Sequence, residues 1–262
     1  MITLAQEAAK RGGEVLRQNF GRANPTVRRK GEADFVSEVD HRSEEAIRSF
    51  LEAELPDHDF LLEEGGASGK GSEYEWVVDP LDGTTNYIHR LPFFSVSIAL
   101  RHRGVTVLGV VYDPLRGEMF TAEGGEPARL NGIAVSVSSA GSLGEALVCT
   151  GFPFRSREWL DSYLSCFRTI FLGSAGMRRD GSAALDLAYV AVGRYDAFFE
   201  LGLKPWDTAA GSLLVSRAGG MVTDFHGGDG AVEGGDIIAT NGRVHAEILS
   251  VTSAVFAAGR PR

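Results

Sequence analysis

Basic residues are in short supply. Against 35 Asp and Glu the chain carries 26 Lys and Arg, a formal charge of −9 at pH 7, and its longest basic cluster, Arg28-Arg29-Lys30, is too small to neutralise a run of phosphates. A DNA- or RNA-binding protein of ordinary design is excluded. Cysteine is scarcer still, two in 262 residues. Cys149 and Cys166 share no CxxC spacing and read as buried small apolar side chains, so a disulfide framework is excluded too. No apolar run approaches the roughly 18 residues that cross a bilayer. The longest, Val105 to Val111, is of strand length. The N-terminal stretch lacks the apolar core and small-residue cleavage site of a signal peptide, and the sequence predicts a cytoplasmic protein that meets no membrane. The six histidines form no HExxH pair. Gly65 to Ser72 fails the GxxxxGK[ST] pattern at Glu64 and Gly71, and no GxSxG or strand-following GxGxxG occurs.

What is present is a globular composition, 44% hydrophobic, with 33 glycines that carry no collagen-like period and point to many tight turns or close backbone approaches. Leu4, Ala8, Val15, Leu16 and Phe20 mark an amphipathic first helix, and Val39, Ile47, Phe50, Leu51 and Leu55 a second over Ser37 to Leu55, stopped by Pro56. Short strands follow at Phe60-Leu61-Leu62 and Trp76-Val77-Val78, with Gly65 to Glu73 between them as a flexible loop. From Phe93 to Val137 alternating apolar residues broken by Asp113-Pro114, Arg116-Gly117 and Asn131-Gly132 predict an antiparallel meander. Beyond the small, polar Val137 to Ser142 the order changes to alternating strands and helices. This places an N-terminal α+β domain at 1–139 and a C-terminal α/β domain at 140–262, each a sheet packed by helices.

The most informative stretch is Trp76-Val77-Val78-Asp79-Pro80-Leu81-Asp82-Gly83-Thr84-Thr85-Asn86. An apolar strand runs into two acids that bracket a proline, and the Leu81 carbonyl lies between them, free of strand and helix bonding. That is an oxygen-rich ligand set of the kind hard cations such as Mg2+ prefer. Gly83 to Thr85 open a helix whose free N–H groups suit a phosphate. Glu63, after the strand 60–62, and Asp207, at the start of a helix running to Ala218, stand at similar element ends. Singly, each has a plainer reading: Asp207 as an N-cap, Asp82 as a turn residue, Glu63 as a solvated charge. Asp40, in Ser37-Glu38-Val39-Asp40, fits a capping-box-like helix start, and Ser182 an N-cap before Ala183-Ala184-Leu185.

Asp79 to Asn86 matches the DPLDGTTN motif, and Trp206-Asp207-Thr208-Ala209-Ala210-Gly211 the WD-x-A-A-G motif, of the inositol monophosphatase family. The chain resembles this family of lithium-sensitive, Mg2+-dependent sugar-phosphate phosphatases from end to end, including Lys30 to Asp40, Glu63-Glu64 and Gly181 to Ala188. Its bacterial extragenic-suppressor members look most similar. The resemblance implies a layered αβαβα sugar-phosphatase fold. It also implies two or three Mg2+ ions held by Glu63, Asp79, the Leu81 carbonyl, Asp82 and Asp207. Thr84 with Asp40, and Glu63, are implied to orient and activate a metal-bound water for in-line attack on phosphorus, without a covalent enzyme intermediate. Asp82, Gly83, Thr84, Ser182, Ala183 and Asp207 would face substrate, and Glu200 would accept a hydrogen bond from a ring hydroxyl. Lys30 and Asp34 align with the family's mobile metal-sensing loop, and a solvated surface role competes with that. Lys204 stands where some animal members have histidine, which bears on ring selectivity. Inositol 1-phosphate is the implied substrate; fructose 1,6-bisphosphate, histidinol phosphate and 3′-phosphonucleotides are the alternatives within the superfamily. Implied partners are a second copy, as a homodimer, and, from another functional class, the transcription machinery.

Overall fold

The computed structural model describes residues 1–22, 27–31, 34–154 and 156–257, with the backbone alone at 27–31, 34–37 and 232. Helix α1 (Ile2–Asn19) leads to a hairpin, β1 (Val27–Gly31) and β2 (Asp34–Ser37), and then to α2 (Glu38–Glu54). Next come β3 (Asp59–Leu62), β4 (Gly66–Ser68), β5 (Tyr74–Asp82), the short α3 (Thr84–Ile88), β6 (Ser95–His102), β7 (Val105–Asp113), β8 (Glu118–Glu123), β9 (Arg129–Leu130) and β10 (Ile133–Ala134). The rest holds β11 (Leu147–Thr150), α4 (Leu160–Gly173), β12 (Gly176–Arg178), α5 (Ala183–Ala191), β13 (Ala197–Leu203), α6 (Pro205–Arg217), β14 (Met221–Thr223), β15 (Gly235–Thr240) and α7 (His245–Val255).

These elements form five layers. An eight-stranded sheet, β10-β9-β8-β7-β6-β5-β3-β4, and a five-stranded sheet, β12-β11-β13-β15-β14, are the second and fourth. α1 and α2 cover the outer face of the first sheet through Ala8, Leu16, Ile47 and Leu51 on Trp76, Val96, Ile98 and Val110. α4 and α7 cover the outer face of the second through Tyr163, Ile170 and Ile248 on Val148, Phe199 and Ile238. Between the sheets lie α5 and α6, whose residues pack on Val77, Ala99, Val111 and Phe120 on one side and on Cys149, Phe198 and Ile237 on the other. Helices apolar all round belong in such a middle layer. They sit close: a Cβ on Gly109 of β7 would come within 2.8 Å of the Ala210 carbonyl oxygen of α6.

Several local expectations change. The buried face of α1 is built from Ala5, Ala8, Ala9, Gly12, Gly13 and Leu16, whereas Leu4, Val15 and Phe20 are only partly covered. Close packing on α2 demands small residues: a Cβ on Gly12 would meet Ile47 Cδ1 at 2.6 Å. Part of the glycine-rich stretch expected as a loop is strand β4, paired with β3. Lys30 and Asp34 fall in the hairpin strands and not in a loop; their side chains, and the Ser37 cap, lie outside the described residues. Among the described residues no helix is long and apolar enough to cross a membrane.

Candidate active site

The strand expected to end at Val78 continues through Asp82. It does so by means of a bulge: Asp79 pairs with Ser97 and Asp82 with Ser95 of β6, so three steps on β5 span two on its neighbour. Residues three apart in a regular strand point to opposite faces. The extra residue removes that alternation and sends both carboxylates to the face covered by α5 and α6. Pro80, which has no N–H for a ladder, sits in the bulge where none is needed. Its carbonyl accepts a buried hydrogen bond from Ser43 Oγ of α2 at 2.9 Å. Asp79 Oδ1 accepts the Leu81 N–H at 2.9 Å, an Asx-type turn.

Asp82 reaches across to the second half. Its Oδ2 accepts Ser182 Oγ at 2.5 Å and the Ala184 N–H at 2.7 Å. Ser182 stands at the N-cap position of α5 but makes no capping bond with its side chain; its hydroxyl serves Asp82, and Asp82 caps the helix in its place. Asp207 behaves differently from the N-cap read in the sequence. α6 starts at Pro205, so Asp207 is its third residue, and its Oδ2 reaches back to the Lys204 N–H at 2.7 Å. Carboxylate atoms of Asp79, Asp82 and Asp207 lie within 4.8 Å of one another. Glu63, fixed by its N–H to the Val78 carbonyl at 3.1 Å, hydrogen-bonds the Asp79 carboxyl.

Such crowding is electrostatically expensive. Burial, then the charges of Glu63, Asp82 and Asp207, holds Asp79 well above the usual carboxylate range. Burial and Asp207 push Asp82 up to about 7, against the hydrogen bonds from Ser182 and the start of α5. Buried acids that cannot all ionise, together with the Leu81 carbonyl, form the donor set of a hard divalent cation, which would relieve the repulsion. The residues present therefore fit Mg2+.

Thr84 opens α3, and its Oγ1 lies 3.1 Å from both Asp40 Oδ1 and the Leu81 carbonyl oxygen. One hydroxyl hydrogen can serve only one of these acceptors at a time. Asp40, in the first turn of α2, is fully buried. Gly83 has φ of +99°, the left-handed conformation that glycine takes without strain, and α3 after it spans five residues. The expected helical phosphate cradle is thus a single turn.

Glu63, Asp79, Leu81, Asp82, Gly83, Thr84, Ala183, Glu200 and Asp207 line one cleft of about 430 Å³, an ordinary size for a small-molecule site. Asp40 and Ser182 stand just behind its lining, each hydrogen-bonded to a lining residue. A larger depression of about 1260 Å³ between α1 and α2 is open and contains none of these groups. Sequence reasoning missed two residues of the cleft lining and a buried acid outside it. Asn86 Nδ2 donates to the carbonyls of Phe93 and Asp180 at 2.8 and 2.7 Å, stapling α3 to the turn before α5; it was visible only as the end of a motif. Arg179 lies over the rings of Phe152 and Phe154 at 5.5 and 5.4 Å at the cleft mouth. Asp186 is buried beside Cys149 and Asp180, and burial followed by the Asp180 charge raises its carboxyl well above the usual range.

Comparison with known proteins agrees with this architecture. The sequence profile described as "Inositol monophosphatase family" matches residues 1–255. A protein called "Nus factor SuhB" from Escherichia coli strain K12 is 45% identical over 252 residues, covering 95% of this chain and 94% of the relative. Its namesake from Pseudomonas aeruginosa is 47% identical over 256 residues, covering 95% and 94%. Among solved structures, the extragenic suppressor protein suhB from Bartonella henselae superimposes with a TM-score of 0.92 at 41% identity, covering 95% of this chain and 97% of that one. An inositol monophosphatase from Anabaena (Nostoc) sp. PCC 7120 does so with a TM-score of 0.87 at 37% identity, covering 97% and 95%.

Proposed function

The chain belongs to the inositol monophosphatase family, and on that premise we propose that it is a cytoplasmic Mg2+-dependent phosphomonoesterase that releases phosphate from inositol 1-phosphate or a related polyol phosphate. The observation that carries this reading is the convergence of Asp79, Asp82 and Asp207 from β5 and α6 within 4.8 Å. Glu63 and the Leu81 carbonyl complete the ligand set. Bound there, Mg2+ supplies Lewis acidity: it makes water a nucleophile at neutral pH and offsets charge on the phosphoryl oxygens.

The chain's own residues do the rest. Thr84 donates its hydroxyl hydrogen to Asp40 Oδ1, 3.1 Å away, which turns its lone pairs toward the cleft to accept from an attacking water. Asp40 fixes that hydroxyl and draws proton density through it. Glu63 is placed to orient the same water. Asp82, held by Ser182 and Ala184, turns its other oxygen to the metal and the ester. Gly83 and Ala183 present small backbone surfaces that admit a phosphate. Glu200 accepts a hydrogen bond from the alcohol and so selects polyols.

The test is phosphate release from inositol 1-phosphate by the full chain, with Mg2+ or with EDTA, for wild type and Asp82→Asn. Activity that needs Mg2+ and falls by orders of magnitude in the variant supports the proposal; full activity in EDTA sinks it. A panel of kcat/KM values on fructose 1,6-bisphosphate, histidinol phosphate and a 3′-phosphonucleotide sets the substrate. A second reading is favoured by the relatives called Nus factor: the chain also associates with the transcription machinery. Capture of transcription factors that survives Asp82→Asn supports that role; capture lost with the carboxylate refutes an independent one. Sedimentation velocity at micromolar concentration tests the homodimer.

A further inference from the structure

Gly151 and Glu200 face each other at the ends of two neighbouring strands. β11 and β13 run parallel with Thr150 opposite Phe199, so the next residues along are Gly151 and Glu200. A Cβ built on Gly151 would lie 2.0 Å from Glu200 Cδ and Oε2 and 2.1 Å from Oε1. The carboxyl group occupies the volume that any side chain at 151 would need. Gly151 is buried and is not among the glycines of positive φ. Its backbone does not call for glycine; the carboxylate does. The neighbourhood is otherwise fixed, with Thr150 Oγ1 hydrogen-bonded to Tyr163 Oη at 2.8 Å and to the Phe199 carbonyl at 2.7 Å.

We propose that Gly151 is a specificity-determining positioning residue: by leaving its side-chain volume empty it sets how deeply the Glu200 carboxylate sits in the cleft, and so which hydroxyl of the alcohol that carboxylate can read. This rests on the phosphatase reading with Glu200 as hydroxyl acceptor. In Gly151→Ala the clash falls on the far end of a flexible side chain, so the fold survives and the carboxylate moves. Non-bonded carbon and oxygen atoms stay roughly 3 Å or more apart, and the 2.0 Å approach must open by about 1 Å. Misplacement on that scale costs a substrate-orienting group about 10- to 100-fold in kcat/KM.

The experiment measures kcat/KM of the Mg2+-loaded full chain on inositol 1-phosphate and on p-nitrophenyl phosphate, whose alcohol has no neighbouring hydroxyl. Gly151→Ala is expected to lower the first by about 10- to 100-fold, chiefly through KM, and to leave the second within about threefold. In a Glu200→Ala background the same change should have no effect on the ratio, because no carboxylate remains to displace. A crystal structure of Gly151→Ala should show the Glu200 carboxylate moved. Equal loss on both esters, an unchanged ratio, or the same loss without Glu200 overturns the proposal. Should the wild type hydrolyse neither ester, the phosphatase reading fails, and an unmoved carboxylate in the crystal still refutes the role of Gly151.

Discussion

Asp82→Asn separates charge from hydrogen bonding at the centre of the cleft. In the wild type a single oxygen, Oδ2, accepts both Ser182 Oγ and the Ala184 N–H. The amide oxygen of asparagine can accept the same two bonds, so the variant loses only the ionisable group. That group titrates at about 7 in the metal-free fold, against 3.8 ordinarily, through burial first and the Asp207 charge second. An acid with a raised folded pKa holds its proton more tightly in the native state than in the unfolded one. The Asp82 contribution to metal-free stability is therefore lost as pH rises from about 4 to about 7, and Asp79 and Asp186, also raised, add to the decline. Some three pH units at 1.36 kcal/mol each make the loss on the order of 4 kcal/mol. For a chain of this size each kcal/mol is worth about 2–4 °C in Tm. In EDTA at pH 8, Asp82→Asn should melt on the order of 10 °C above wild type, with the gap closing toward pH 4. With Mg2+ at 100 times its Kd the gap should narrow to on the order of 1 kcal/mol, because the bound ion adds about 2.7 kcal/mol to the state that binds it. Calorimetric melts at pH 4, 5, 6, 7 and 8, with and without Mg2+, decide the matter. A wild-type Tm in EDTA that does not move with pH, or a variant that melts lower at pH 8, would refute the argument.

Thr84→Ala and Asp40→Asn should each lower kcat by about 10²–10⁴ while the Mg2+ concentration for half-maximal activity stays near that of wild type; Thr84→Ser should keep most of the rate, and steady-state kinetics across a Mg2+ titration separate these effects. Gly109→Ala should cost about 1–3 kcal/mol by overpacking β7 against α6, read from urea unfolding, and an unchanged midpoint would contradict the close approach. Burial raises both thiols, Cys166 to about 12 and Cys149 further. Iodoacetamide at pH 8 should accordingly label neither in the native protein and both in urea, as mass spectrometry can count.

Legibility differed from residue to residue for physical reasons. The acids of the DPLDGTTN string stand out in the sequence because two carboxylates around a proline behind an apolar strand satisfy no ordinary structural need. That they share a face does not, because it depends on a bulge whose register is set by β6, a partner the local sequence does not name. The helix start at Ser182 is legible, but the use of its hydroxyl is hidden, since its acceptor Asp82 lies a hundred residues away. Asp207 looked like a cap because acids favour that position; Pro205 at the first turn moved the boundary back. The buried stripe of α1 is only partly legible, because periodicity weighs hydrophobicity, whereas the distance to α2 selects for smallness. Ser43 and Asn86 carry no signal of their own, as their worth lies in distant carbonyls.

The middle layer has a consequence for how the chain is made. The first sheet is complete once β10 has been synthesised, yet the face carrying Val77, Ala99, Val111 and Phe120 is covered by α5 and α6. At a synthesis rate of roughly 5–20 residues per second, the roughly eighty residues between Ala134 and Arg217 take between about 4 and 16 s to appear. For that interval a nascent chain on the ribosome holds an open apolar sheet with nothing of its own to close it. Asp207, on α6, arrives with the covering layer, and the carboxylate cluster cannot assemble before it. The growing chain is thus most exposed to aggregation and to chaperone capture just before the cleft forms.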